Sequence, residues 1–314
     1  MSVPYVEKEK NLDIPKETKA KKKKSSDVRA AFWFLLPNLT GFLTFTFIPI
    51  IATFVLSLFE WSLISEPKFV GFDNYINLFS KDTVFGSVIF NTFFYVIVYV
   101  VLNLIVSVGF AVWLNQKIKG IKIYRAFLFL PVLVSPVAIA MVWQWMYEPQ
   151  NGLINEMLQW IGIQGPNWLG DSKWAMIALI LMCVWQNFGY NMIIFLAALQ
   201  GVPQSMLEAA SIDGAGPFVR FFKIMLPAIS PAIFFGTVMT LINAFQVFDQ
   251  AYVLTNGGPG NATEVLGLYI YKNAFQWFEM GKGAAIAVIM FGFILIITLL
   301  QLVLQKKWVH YETK

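Results

Sequence analysis

Six long runs of apolar residues, separated by short polar stretches, constrain this chain more than any other feature. They cover residues 30–59, 88–114, 126–146, 174–199, 231–253 and 284–304. A hydrocarbon layer of about 30 Å is crossed by a helix of about 20 apolar residues, and each run meets that length. The runs are continuous rather than alternating, which argues against a barrel of strands facing lipid and lumen in turn. The expected fold is an all-α polytopic membrane protein with six transmembrane helices. Composition agrees: 58% of the 314 residues are hydrophobic and only 13% charged, against about 25% charged in soluble domains. A water-soluble fold of this length would leave large apolar patches bare. Secreted, nucleic-acid-binding and ordinary cytosolic classes are excluded.

The flanks and breaks set the organisation. Residues 1–29 are polar and basic, with a run Lys21-Lys22-Lys23-Lys24, and bury too little apolar surface to fold. They read as a disordered tail, and residues 306–314 as a second one. The first run is too long for a cleaved signal and carries Pro37, Gly41 and Pro49, so it reads as a retained span. Pro131 and Pro136 lie inside the third run, which is expected to be kinked rather than broken, because neighbours in a membrane bundle satisfy freed carbonyls. With the N-terminus inside, 18 of the 23 lysines and arginines fall on the inner side. That asymmetry predicts two cytoplasmic termini, with the basic tail meeting anionic headgroups of the lipid bilayer and no nucleic acid.

Several chemistries are missing. The single cysteine, Cys183, excludes an internal disulfide and multi-cysteine metal sites; inside an apolar run it reads as a small buried hydrophobe. The single histidine, His310, falls in the terminal tail and reads as solvated. No catalytic set or metal site can be assembled. A phosphate-binding loop needs G-x-x-x-x-G-K-[ST], whose amides cradle phosphates, and Gly281-Lys282-Gly283 lacks both the upstream glycine and the hydroxyl. The chain is expected to hold no cofactor and to do no covalent chemistry.

The most informative stretch joins the fourth and fifth runs, residues 201–230. Pro203 suits a first helical turn, residues 204–212 are good helix formers, and Gly214 can close the helix in the left-handed conformation. Pro217 can open a second short helix, with Phe218, Phe221, Phe222 and Met225 recurring at helical spacing. The segment reads as a helix–turn–helix on the inner side. Glu208-Ala209-Ala210, then Asp213-Gly214, then Ile224-x-Leu226-Pro227, resembles the EAA loop of binding-protein-dependent ABC importer permeases. Thr255-Asn256-Gly257-Gly258-Pro259 resembles the outer loop of carbohydrate permeases of the maltose and glycerol-phosphate type, and Phe34-Leu35-Leu36-Pro37 is similar to the start of their first span. The resemblance runs from about Phe32 onward. The basic tail and short outer loops depart from the maltose permease, which has extra spans and a large outer insertion.

The resemblance implies a permease domain over residues 30–305 in a bacterial cytoplasmic (inner) membrane. It implies partners: a second permease subunit, two ATP-binding subunits that hold ATP and Mg, and an extracytoplasmic solute-binding protein. It implies that a cytoplasmic coupling helix carrying Glu208, Ala209, Ala210, Asp213 and Gly214 docks into a groove on the ATPase. There the alanines allow close approach, Glu208 meets basic groups and Gly214 permits the turn. The competing reading is an amphipathic helix on the lipid surface.

Polar side chains inside spans are costly unless they face a cavity or a neighbouring helix. Asn187, Tyr190 and Asn191 share one face of the fourth run, and Thr240, Asn243 and Gln246 recur at three-residue steps in the fifth. These two runs flank the coupling segment. Amides and rings suit sugar hydroxyls and sugar faces, so a neutral sugar or oligosaccharide is the expected solute. Hydrogen bonding between helices accounts for the same residues equally well, and Asn91 and Asn103 are assigned to it. Asp249 reads as a solvated end residue. Gly257, Gly258 and Pro259 shape the outer mouth or form a plain turn. The alternative whole-chain reading is a stand-alone secondary transporter or channel, which normally shows intramembrane carboxylates or an inverted repeat; neither is evident.

Overall fold

The computed structural model describes residues 25–116 and 119–310, with side chains from residue 31. Most of the expected basic tail, Lys117, and residues 311–314 lie outside the described residues. The chain divides into two units, Met1–Ile51 and Ala52–Lys314.

The first unit holds α1 (Ser25–Phe42), a π-helical turn, Leu43–Phe47, and the start of α2 (Ile48–Leu56). The described part of the helix begins at Ser25, within the stretch read from sequence as a disordered tail.

In the second unit two short strands, β1 (Phe59–Glu60) and β2 (Lys68–Phe69), pair antiparallel and precede α3 (Asp73–Ser80). This hairpin was not expected, but at two residues a strand it leaves the class all-α. Next come α4 (Phe85–Leu114), α5 (Ile121–Leu133), α6 (Pro136–Met146), α7 (Leu153–Trp160) and α8 (Ser172–Gln200). Then follow α9 (Gln204–Ile212), α10 (Pro217–Arg220), a π-helical turn, α11 (Leu226–Ala228) and α12 (Ser230–Phe245). The chain continues through α13 (Asp249–Thr255), α14 (Leu266–Tyr271), another π-helical turn and α15 (Met280–Leu304). Carboxylates cap the two longest helices. Asp82 Oδ1 accepts the N–H groups of Val84 and Phe85 at 3.0 and 3.1 Å ahead of α4, and Asp171 accepts that of Lys173 at 2.8 Å in α8.

Four helices are long and apolar enough to cross a bilayer, and two bent pairs raise the number to six. Two expectations about the runs are corrected. The third run is broken, with α5 and α6 meeting at 99°. Val134 is extended (φ −85°, ψ 142°), as is Ser135, because the ring of Pro136 disfavours helical geometry in the residue before it. Gln186 Nε2 reaches the freed Val134 carbonyl at 3.4 Å. The fifth run is not one helix to residue 253. It ends at Phe245, and residues 246–248 are irregular before α13. Gly267 lies against the released Val247 carbonyl so closely that a Cβ would overlap it.

α4 and α8 pack along much of their length. The main core gathers Tyr95, Tyr99, Ile139, Tyr147, Leu179, Met182, Cys183 and Phe245 from α4, α6, α8 and α12; Cys183 is buried, as expected. A second cluster places Phe188, Met192, Phe195 and Leu199 of α8 on Ala111 and Leu114 of α4. At Gly189 the backbones of α8 and α5 approach so closely that any Cβ would strike the Leu128 carbonyl. Small residues serve helix contacts in this way where lipid supplies no hydrophobic drive. His310 is exposed, as expected, and its backbone N–H donates to Ser230 Oγ at 2.9 Å.

Candidate functional site

Three sites emerge, the first in residues 201–230. α9 starts just after Pro203, and Gly214 sits at φ +78°. The Gly214 N–H donates to Ser211 O at 3.2 Å and the Ala215 N–H to Ala210 O at 2.9 Å. This is a Schellman closure, with glycine at the left-handed position because a Cβ is disfavoured there. No residue of α9 is buried. Glu208, Ala209, Asp213 and Gly214 are exposed and Ala210 is half-buried. Bare apolar side chains surround them, with Ile212 87% and Phe218 78% exposed. Such a surface is chemically suited to bind another macromolecule.

The second site is a cavity of about 530 Å³ between α4, α8, α12 and α13. All six sequence-selected polar residues, Asn187, Tyr190, Asn191, Thr240, Asn243 and Gln246, line it. They do not play one part. Asn191 Nδ2 donates to Asn103 Oδ1 at 2.8 Å and to Thr240 Oγ1 at 2.7 Å, tying three helices together. Asn187 Nδ2 bonds back to its own helix at Cys183 O, 2.9 Å. Tyr190, Asn243 and Gln246 are exposed. Sequence reasoning missed Tyr95, Tyr99 and Gln250, which also line the cavity. Tyr95, Tyr99 and Asn103 lie four residues apart on α4, a helical spacing that was open to reading. Asp249 lines the wall as well, rather than serving only as an end residue.

The third site is the loop of residues 256–263. Gly257 (φ +86°) and Gly260 (φ +57°) take left-handed conformations, and the Gly258–Pro259 peptide is cis. Thr263 Oγ1 donates to Gly258 O at 2.8 Å, and the Thr263 N–H to Gly257 O at 3.1 Å. Beneath lies Glu264, 2% exposed and 2.6 Å from Lys272 Nζ, which also donates to Asn256 O at 2.9 Å. A Cβ at Gly257 would overlap the Glu264 carboxylate. Asn91 was expected to pack helices, but its Nδ2 donates to Asn261 O and Glu264 O at 2.8 and 3.2 Å and so fastens the loop. Burial pushes the Glu264 carboxyl above its ordinary range, and Lys272 only partly opposes this. Nearby, burial likewise pushes Asp82 up, but the hydroxyl of Tyr269 at 2.6 Å and the ammonium of Lys282 at 2.9 Å outweigh it and hold the carboxyl below the usual range. Among the described residues no group of three or more His, Cys, Asp or Glu side chains is placed to bind a metal ion.

Residues 107–310 match the family of the binding-protein-dependent transport system inner membrane component. The "Probable ABC transporter permease protein YesP" of Bacillus subtilis (strain 168) is 41% identical over 300 residues, spanning 93% of this chain and 96% of that protein. The trehalose/maltose transport system permease protein MalF of Thermococcus litoralis is 36% identical over 282 residues, spanning 90% and 95%. Among solved structures, a chain of the bacterial alginate ABC transporter in complex with alginate pentasaccharide-bound periplasmic protein superposes with a TM-score of 0.80, over 91% of this chain and 98% of that one; at 23% identity this is a likeness of fold. Family match, length-spanning relatives and fold agree, and the chain belongs to the inner-membrane components of binding-protein-dependent transport systems as an ABC importer permease subunit.

Proposed function

We propose that this permease forms half of the path by which a neutral sugar or oligosaccharide crosses a bacterial cytoplasmic membrane, through six spans with both termini in the cytoplasm. A second permease completes the path. Two separate ATP-binding subunits hold ATP and Mg, and an extracytoplasmic solute-binding protein delivers the solute, with the 256–263 loop at the outer mouth. The observation that carries this reading is the cavity of about 530 Å³ on which the polar residues of α8 and α12 converge. Tyr190, Asn243 and Gln246 are exposed on it, and amides inside a span are too costly to face hydrocarbon, so they face a path that a second protein surface encloses. Related sequences add a substrate class, since one relative is named for trehalose and maltose transport. Family membership also counts against the stand-alone transporter or channel.

Coupling follows from chain order. α9 lies between α8 and α12, so a push on its bare surface is transmitted to both polar walls of the cavity. The Schellman closure at Gly214 makes it a stiff lever rather than a slack loop. Glu208→Lys reverses the charge at the exposed contact. It should cut uptake by about tenfold or more while the subunits still assemble and hydrolyse ATP, since a desolvated charge contact is worth about 1.5 kcal/mol or more. Unchanged uptake in reconstituted vesicles would remove α9 from the coupling path.

A further inference from the structure

We infer that Asp249 sets the charge selectivity of the cavity: its carboxylate accepts hydroxyl hydrogens from a neutral sugar and turns away anionic solutes. The inference rests on reading the cavity as a solute path and adds the residue that decides what the path admits. Asp249 is, among the described residues, the sole carboxylate on the wall, and no lysine, arginine or histidine of theirs lines it. Among the described residues nothing forms an ion pair with it: the three ion pairs there join Lys272 to Glu264, and Lys282 to Asp82 and Glu279. It opens α13 just after the irregular residues 246–248 and is only partly buried. An unneutralised charge beside low-dielectric walls acts over a longer range than one in water, because neither ions nor solvent screen it fully.

The rest of the wall is uncharged, with the polar Asn187, Tyr190, Asn243 and Gln246 among its lining residues. Asn103 and Asn191 are 1% and 2% exposed, both line the wall, and each keeps an amide atom without a partner: Asn103 Nδ2 and Asn191 Oδ1. Buried polar atoms are rarely left unpaired. Both atoms are enclosed among the helices, Asn191 Oδ1 lying against Gly236, so the hydroxyls of a solute would meet the exposed Tyr190, Asn243 and Gln246 instead. A phosphate or carboxylate offers only acceptors. It would face the Asp249 charge with no cation among the lining residues to offset it.

The charge of the cavity can be read without knowing the sugar. In membrane vesicles from cells that make the whole importer, Cys183 is replaced by alanine and Asn243, exposed on the wall, by cysteine. Labelling rates are then compared for a sulfonate-bearing and a trimethylammonium-bearing methanethiosulfonate. Asp249→Asn should raise the anionic-to-cationic rate ratio about fivefold or more, while Asp249→Glu, which keeps the charge, should hold it within about twofold of the parent. A ratio that Asp249→Asn leaves unchanged overturns the assignment to Asp249 while the path itself stands. Should neither reagent reach the cysteine in an assembled complex, the cavity is not a water-accessible path, and the inference falls together with the reading beneath it.

Discussion

Gly257 and Gly214 are both glycines in the left-handed region, yet they are needed for different reasons. At Gly214 nothing crowds the missing Cβ, so the demand is conformational. Gly214→Ala should cost about 1 kcal/mol locally and weaken coupling more than assembly, read as uptake per ATP hydrolysed. At Gly257 the Glu264 carboxylate occupies the space, so the demand is steric as well. That carboxylate is buried while its cationic partner is half-buried, and removing the partner leaves a buried charge unpaired, at a cost of up to about 3 kcal/mol. Lys272→Met should therefore lower the melting midpoint of the purified complex clearly at neutral pH. The sign of the pH effect follows from the raised Glu264 carboxyl. A group whose native pKa lies above its unfolded value is relatively favoured below the unfolded pKa and loses that advantage as pH rises through the native one. Without Lys272 the native pKa rises further, so the deficit should shrink on acidification toward the carboxylate range. A deficit independent of pH would mean that Glu264 is not the group left exposed to the loss.

At the scale of elements, α4, α8 and α12 are joined by one amide. Asn191 spans Asn103 and Thr240 at 2.8 and 2.7 Å, and interhelical bonds of this kind are worth about 0.6–2 kcal/mol each. Asn191→Leu should lower the melting midpoint of the complex and reduce uptake together, whereas a residue touching solute alone would reduce uptake only. α9 and its closure were legible in the sequence because their signals are local: Pro203 before the helix, helix formers through Ile212, and a glycine at the closing position. The polar faces of α8 and α12 were legible for the same reason, a fixed helical spacing. The breaks were not. Prolines at 131 and 136 announce a disturbance, but whether the run bends or parts depends on what meets the freed carbonyl, here Gln186 from 52 residues away. The end of α12 at Phe245 likewise depends on Gly267, a neighbour only in space.

Over the whole molecule, the cavity joins residues from α4, α8, α12 and α13, and periodicity within one helix cannot show which helices face each other. That is why Tyr95, Tyr99 and Gln250 escaped notice, and why Asp249 was read as an end residue, while their partners on the same wall were picked out. The exposed amides of that wall and the bare α9 are surfaces a lone chain in lipid would not keep. Both fit the proposal that the molecule is one part of a machine whose motor is another polypeptide. Its most direct test is solute uptake by vesicles that hold this permease alone, compared with vesicles that hold it with the second permease, the ATP-binding subunits and the solute-binding protein. The complete assembly should accumulate sugar only when ATP is supplied, and the single chain should accumulate none. Uptake by the single chain without nucleotide would contradict the account.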